Sequence, residues 1–134
     1  MNAVSLDTNI LSALVRAPRG PVAERIRQAG EAQVYTSVIV AAELRYGAAR
    51  TGSDRLLRQV EAVLGSIRIA GWNEPADRHY AEVRLGLERA GTPIGGNDLL
   101  IGAQALADGS VLVTDNAREF ERITGLTIEN WLRP

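Results

Sequence analysis

The chain has 134 residues, 46% of them hydrophobic and 23% charged, a balance that suits one soluble globular domain over residues 1–134 and excludes a disordered segment or a coiled coil. It contains no cysteine, no lysine and one histidine, which removes disulfides, thiolate nucleophiles, Schiff-base and Walker-type lysine chemistry, and Cys/His zinc centres. The net charge of −1 is unevenly spread: residues 16–58 hold eight Arg against four acids, and residues 59–134 hold seven Arg against eleven, so non-specific coating of nucleic acid is disfavoured while a focused site flanked by arginines is not.

Ala3 to Leu6 reads as a strand, followed by the polar residues D-T-N. Ile10, Leu11, Leu14 and Val15 then recur at helical spacing until Pro18 and Gly20. A short helix is expected from Pro21 to about Ala29 and a strand over Gln33 to Thr36. From Ser37 the period is 3.6, with Ile39, Ala42, Tyr46 and Ala49 expected to line the buried face until Thr51-Gly52 breaks the run. Ser53 and Asp54 can cap a further helix with Leu56, Leu57, Val60, Val63 and Leu64 inside, ending at Gly65. Ile67 to Ala70 is a short strand. A long helix is expected from Asn73 or Glu74, with Pro75 in its first turn, burying Ala76, Tyr80, Val83, Leu87 and Ala90 and stopping at Gly91. Its wet side carries the i,i+4 pairs Glu74/Arg78 and Arg78/Glu82. After the loop T-P-I-G-G-N come a helix from Asp98 to about Ala107, a strand over Ser110 to Val113, a helix or turn near Arg118 to Arg122, and a strand near Thr127 to Glu129. No run approaches the 18 or so apolar residues of a membrane span, and MNAVSLDTNILSALVR has no basic stretch ahead of its apolar run, so the expected address is the cytoplasm.

Short strands alternating with helices predict an α/β fold with three layers around a mainly parallel sheet, where function gathers beyond the carboxyl ends of the strands. Asp7 follows the first strand, Asp115 follows the Val111 to Val113 strand by one residue, and Asp98 opens a helix after a glycine-rich loop. Glu43 lies four residues after Ile39, at the border of its helix's buried stripe. Each acid has a plain structural reading: Asp98 as a helix cap, Asp7 and Asn9 capping the first helix, Asp115-Asn116 as a turn, Glu43 as a partner of Arg45 or Arg50. Four such roles converging on one rim of the sheet point instead to a cation. Two carboxylates about 5 Å apart repel by roughly 3 kcal/mol at an effective dielectric of 20, and magnesium or manganese relieves this with oxygen ligands alone. A carboxylate-held ion with water still on it suits phosphodiester hydrolysis.

At these residues the sequence resembles the PIN-domain family, and within it the VapC-type toxins of bacterial toxin–antitoxin pairs. The resemblance is carried by LDTNIL at 6–11, TSVIVAAELRYGAA at 36–49, IGGNDLLIGAQAL at 94–106 and LVTDNAREFERITGLTIENW at 112–131, and covers essentially the whole chain. It implies a three-layer α/β/α PIN-like domain and metal-dependent RNA cleavage, with Mg2+ as cofactor and Mn2+ as substitute. It assigns the first three acids to Asp7, Glu43 and Asp98, with Asp7 and Asp98 on the metal. The family's fourth acid often falls two residues after the strand-end threonine, where this chain has Asn116, with Asp115 one residue earlier; Asp115 joins the catalytic set if its loop turns it inward. Asn9, Thr114 and Asn116 are expected to orient the acids or a water. The implied partners are a cognate antitoxin and a second copy of the chain, docking on the apolar surface of the helices between Ser37 and Leu64.

His79, the one histidine, reads as half-buried structure on the long helix, so water attack is expected rather than attack by the ribose 2′-OH. Arg16, Arg19, Arg45 and Arg50 are divided between phosphate contacts and solubility. The competing readings are a structure-dependent DNA nuclease and a catalytically silent PIN-like RNA- or protein-binding module. A response-regulator or phosphatase-like domain is disfavoured by the missing lysine and by D-T-N in place of D-x-D.

Overall fold

The computed structural model describes residues 3–133; residues 1, 2 and 134 of the expected 1–134 domain lie outside that range. The elements run β1 (Val4–Leu6), α1 (Thr8–Arg16), α2 (Pro21–Ala29), a 3-10 turn (Glu31–Gln33), β2 (Val34–Ser37), α3 (Val38–Thr51), α4 (Asp54–Gly65), β3 (Arg68–Ala70), α5 (Ala76–Arg89), α6 (Gly96–Asp108), β4 (Val111–Val113), α7 (Ala117–Phe120) and β5 (Thr127–Glu129). The five strands of the described residues are all parallel, in the order β3-β2-β1-β4-β5, so the first strand is central. The chain winds outward from β1 to β3, crosses back to β4 and continues to β5, and the direction reverses between β1 and β4.

The register sorts side chains between two faces. Val34 lines a cavity with Leu14, Ala23 and Ile26, on the face covered by α1 and α2. Tyr35, one residue on, points to the other face, where its hydroxyl donates to Asp108 at 2.7 Å and lies 2.6 Å from Ser110 Oγ. Helices α1 to α4 pack together, while α5 packs along α6 and α6 against β4, giving three layers, α/β/α. Strands covered on both sides can be apolar throughout, as β4 is: Val111, Leu112 and Val113 are all buried. Helix α6 can lie tightly against the α7 region because residue 102 is glycine; a Cβ there would stand 2.5 Å from Ile123 Cδ1.

The expected elements are present, with four differences. The buried residues of α3 are Val40, Ala41, Leu44 and Ala48, so the expected stripe of Ile39, Ala42, Tyr46 and Ala49 is rotated outward and Tyr46 is 67% exposed. Both stripes have helical spacing, and small alanines on each side leave the period unable to choose. Helix α5 starts at Ala76 with Pro75 outside it, and Ala90 is exposed beyond its last turn. The surface pair on α5 is Arg84/Glu88 rather than the expected pairs built on Arg78. The last helix is Ala117–Phe120, one residue earlier than expected and one turn long. No helix among the described residues is long and apolar enough to cross a membrane.

Candidate active site at the carboxyl edge of the sheet

The reversal of winding between β1 and β4 opens a crevice at their carboxyl ends, and Asp7 sits in it. Its backbone N–H donates to the Val113 carbonyl at 2.9 Å, which locks the residue after β1 to the end of β4. The side chain is 4% exposed. Oδ1 accepts from the Thr8 backbone N–H at 2.8 Å, making Asp7 the cap of α1, and Oδ2 accepts from the Thr114 hydroxyl at 2.7 Å. Burial pushes the Asp7 carboxyl above its ordinary range, and the nearby Glu43 charge adds to this, against the two hydrogen bonds that favour the anion.

Glu43 is half-buried on α3, beside the Val40–Leu44 stripe. Its Oε1 accepts from the Thr8 hydroxyl at 2.5 Å and its Oε2 from the Asn97 amide at 3.2 Å. Asp98 lies in the first turn of α6, whose cap position is Gly95, so it is not itself the helix cap. Its Oδ2 accepts from the Asn116 amide at 3.2 Å. The Asp98 carboxyl is pushed up to about 7, first by burial, then by its hydrogen bond with Glu119 and by the negative charges of Asp7, Glu119 and Glu43. Glu119 moves the opposite way, held below its ordinary range by the Gly95 N–H at 3.0 Å, the Asn116 amide at 2.6 Å and Asp98. Of this pair Asp98 therefore holds a proton the more tightly and Glu119 ionises the more readily.

An open pocket of about 340 Å³ is lined by Asp7, Thr8, Arg16, Glu43, Asp98 and Asn116 among others. The three acids separated by 36 and 55 residues in sequence thus face one space. Every polar donor or acceptor lining it is oxygen or amide nitrogen apart from the Arg16 guanidinium. Among the described residues no group of three or more Asp, Glu or His side chains is already closed around a metal-sized point. Beside this pocket, and sharing Thr8, Arg16 and Glu43 with it, runs an apolar groove of about 390 Å³ between α1, α3 and α4, walled by Val15, Leu44, Ala48, Leu56 and Val60.

Asp115 stands apart from this group. Its carboxylate accepts from Asn130 and from Arg133, each at 3.0 Å, and these partners hold it below the ordinary carboxylate range. Its backbone N–H donates to Asn9 Oδ1 at 3.0 Å, so Asn9 ties the first turn of α1 to the β4 loop, while Asp7 caps α1. Asn116 faces the acids, with its N–H on Thr114 Oγ1 at 2.9 Å. Arg45 is engaged by Glu61 through two hydrogen bonds and not by Glu43, and Arg50 lies over the Tyr46 ring. His79 is half-buried on α5, outside the pocket lining. Glu119 and Thr8 are residues that sequence reasoning overlooked. The spacing Asn116-x-x-Glu119 at the start of α7 was a legible sign, because a polar cap followed three residues later by Glu brings the two side chains together.

The PIN domain family profile matches residues 4–126. The chain is 37% identical over 99 residues to Ribonuclease VapC2 of Rickettsia felis, across 73% of this chain and 74% of that protein. It is 35% identical over 127 residues to the tRNA(fMet)-specific endonuclease VapC of Salmonella typhimurium, across 94% and 96%. Its fold matches VapBC2 from Rickettsia felis bound to a DNA fragment from their promoter with a TM-score of 0.90 at 31% identity, covering 96% of this chain and 98% of that one. It matches DNA-bound VapBC from Salmonella typhimurium equally, with a TM-score of 0.90 at 34% identity and coverage of 98% and 99%. With the sheet order, the acids at the β1/β4 crevice and these relatives in agreement, the chain belongs to the PIN-domain family, among its VapC-type ribonuclease toxins.

Proposed function

We propose that this chain, working as a single domain over residues 1–134, is a metal-dependent endoribonuclease that hydrolyses RNA phosphodiesters in the Asp7/Glu43/Asp98 pocket and is held in check by a cognate antitoxin. The observation that carries the reading is Asp98, whose carboxyl is pushed up to about 7 in part by the charges of Asp7, Glu119 and Glu43. Carboxylates that hinder one another's ionisation fit a site completed by a cation. The donors are hard oxygens with no sulfur or imidazole among them, which suits Mg2+, with Mn2+ as substitute.

Asp7, Glu43 and Asp98 are the residues that would hold the ion, with Glu119 adding negative charge behind Asp98. The chemistry a divalent cation supplies when bound is activation of water for in-line attack and neutralisation of charge developing at phosphorus. Thr114 and Thr8 fix the two oxygens of Asp7, and Asn116 orients Asp98 and Glu119 together. Arg16 brings the one guanidinium that lines the pocket and is suited to a substrate phosphate. No imidazole is at hand to deprotonate a ribose 2′-OH, so water is the nucleophile, leaving 5′-phosphate and 3′-hydroxyl ends. RNA is preferred to DNA as substrate because the relatives carry the names of ribonucleases and a tRNA endonuclease.

The apolar groove beside the pocket gives an antitoxin segment a surface from which to reach the acids. The outward face of α3, with Val38 at 40% and Tyr46 at 67% exposure, is offered to a second copy of the chain. The deciding experiment treats RNA with the purified protein in Mg2+ or EDTA and maps the fragment ends. Mg2+-dependent 5′-phosphate ends, lost in Asp7→Asn by at least about 100-fold, are expected. EDTA-insensitive cleavage or cyclic-phosphate ends would sink the mechanism, and RNA binding with no cleavage would indicate a silent module.

A further inference from the structure

Glu43 is the one acid lining the pocket that comes from α3, and its direction is set by donors from two other elements. Thr8, the first residue of α1, donates its hydroxyl to Glu43 Oε1 at 2.5 Å, and Asn97, in the first turn of α6, donates its amide to Oε2 at 3.2 Å. Thr8 also donates its backbone N–H to Asp7 Oδ1 at 2.8 Å. A threonine has two donors, and here each is spent on a different carboxylate.

This arrangement answers a specific difficulty. Glu43 has three side-chain torsions to lose, it stands at the edge of the buried stripe, and it is close enough to Asp7 for the two carboxylates to repel. The two cations of its own helix are placed elsewhere, Arg45 on Glu61 at the exposed surface and Arg50 over the Tyr46 ring. Thr8 is half-buried and its hydroxyl contact is the shorter, so it holds Glu43 more firmly than the longer, exposed Asn97 contact does. Threonine is also stiff at χ1, so a hydroxyl already pointed at Glu43 stays there.

We propose that Thr8 is the positioning residue for Glu43, its hydroxyl and its amide together setting the separation of the Glu43 and Asp7 carboxylates, with Asn97 steadying the far oxygen. This role rests on the metal-dependent reading given above. Valine keeps the shape of threonine without the hydroxyl, and serine keeps the hydroxyl without the methyl, so the pair separates the two contributions.

The test uses the full chain and two readouts: kcat and KM on an RNA oligonucleotide with Mn2+, and Mn2+ affinity measured by calorimetry without RNA. Thr8→Val should lose about 30-fold in kcat with KM changed by less than about twofold. It should bind Mn2+ about tenfold more weakly, as loss of a group that orients a metal ligand does. Thr8→Ser should recover both to within about threefold, and Asn97→Ala should lose less than Thr8→Val. In a Glu43→Gln background, adding Thr8→Val should change Mn2+ affinity by less than about twofold, because the hydroxyl has lost its anionic partner. Unchanged kcat and Mn2+ affinity in Thr8→Val, or an equal loss in the Glu43→Gln background, would overturn the positioning role. If the valine variant does not fold, Thr8→Ala enters the same cycle and decides it. A wild-type chain that neither binds Mn2+ nor cleaves RNA overturns the proposed function with it, whereas an active wild type beside an indifferent Thr8→Val overturns the positioning role alone.

Discussion

Stability of the metal-free protein should fall as pH rises from 5 to 8, and Asp98→Asn should abolish most of that fall. In the unfolded chain Asp98 ionises near 3.8, and in the folded protein near about 7. The folded state therefore binds the proton more tightly, so the associated stability is fully present below about pH 4, declines as pH rises through 7 and is gone above it. Three units correspond to about 4 kcal/mol, and because the side chain is half-exposed, solvent screening reduces this to about 2 kcal/mol. Asp7 is displaced in the same direction and steepens the decline. Glu119, Asp115 and Glu61 are displaced downward, so their contributions are complete above their ordinary values of 4.5, 3.8 and 4.5 and stay flat across the window. Urea unfolding in EDTA at pH 5, 6, 7 and 8 measures the effect. Part of the decline lies below pH 5, so the wild type should lose about 1 kcal/mol across the series while Asp98→Asn stays nearly level and is the more stable protein at pH 8. Saturating Mg2+ should restore the wild type at pH 8 and do little at pH 5, since ligands must be deprotonated to bind. Wild-type stability that is flat or rises with pH, or an Asp98→Asn protein that keeps the full slope, would refute the claim that mutually hindered carboxylates share this pocket.

Glu119→Gln should bring the Asp98 pKa down, because it removes both a hydrogen-bonding anion and a nearby charge, and should flatten the same pH series; a slope as steep as wild type would dissociate the pair. Asp115→Asn should reduce cleavage by less than about tenfold in initial-rate assays, since its carboxylate is committed to Asn130 and Arg133 rather than to the pocket. Arg16→Ala should raise KM for RNA about fivefold, a single screened phosphate contact, and Arg45→Ala should leave KM unchanged because that guanidinium is held by Glu61.

How the chain reads depends on which physical signal each feature carries. Alternating strands and helices, with glycine at helix ends such as Gly52 at φ 71°, made the layered parallel sheet legible. Asp7 and Asp98 stood out because each lies at the edge of an element whose end the period marks, and Glu43 because it borders the apolar stripe of its helix. The inward face of α3 was not, because Val40/Ala41/Leu44/Ala48 and Ile39/Ala42/Tyr46/Ala49 are both apolar at helical spacing, and only the position of α1 and α4 tells them apart. The aim of the β4 loop was equally hidden. Asp115 and Asn116 differ by one position, and what turns the first away is a pair of residues, Asn130 and Arg133, beyond β5. Glu119 and Thr8 escaped notice for a shared reason: each acts by hydrogen bonding to another polar group, and such pairing leaves little trace in a hydrophobic pattern.

The hydrogen bond from Thr114 to Asp7 spans 107 residues, and the last acid of the cluster, Glu119, lies further along still. β1 is made first, yet it must wait at the centre of the sheet for β4 to be synthesised and inserted beside it. Parallel pairing of this kind closes long loops and is slow compared with helix formation. A chain that ended after α4 would carry Asp7 and Glu43 and still have no pocket, because Asp98, Thr114 and Asn116 all come later in the sequence. The sheet order thus sets a sequence of assembly: the pocket is among the last features of the chain to be completed.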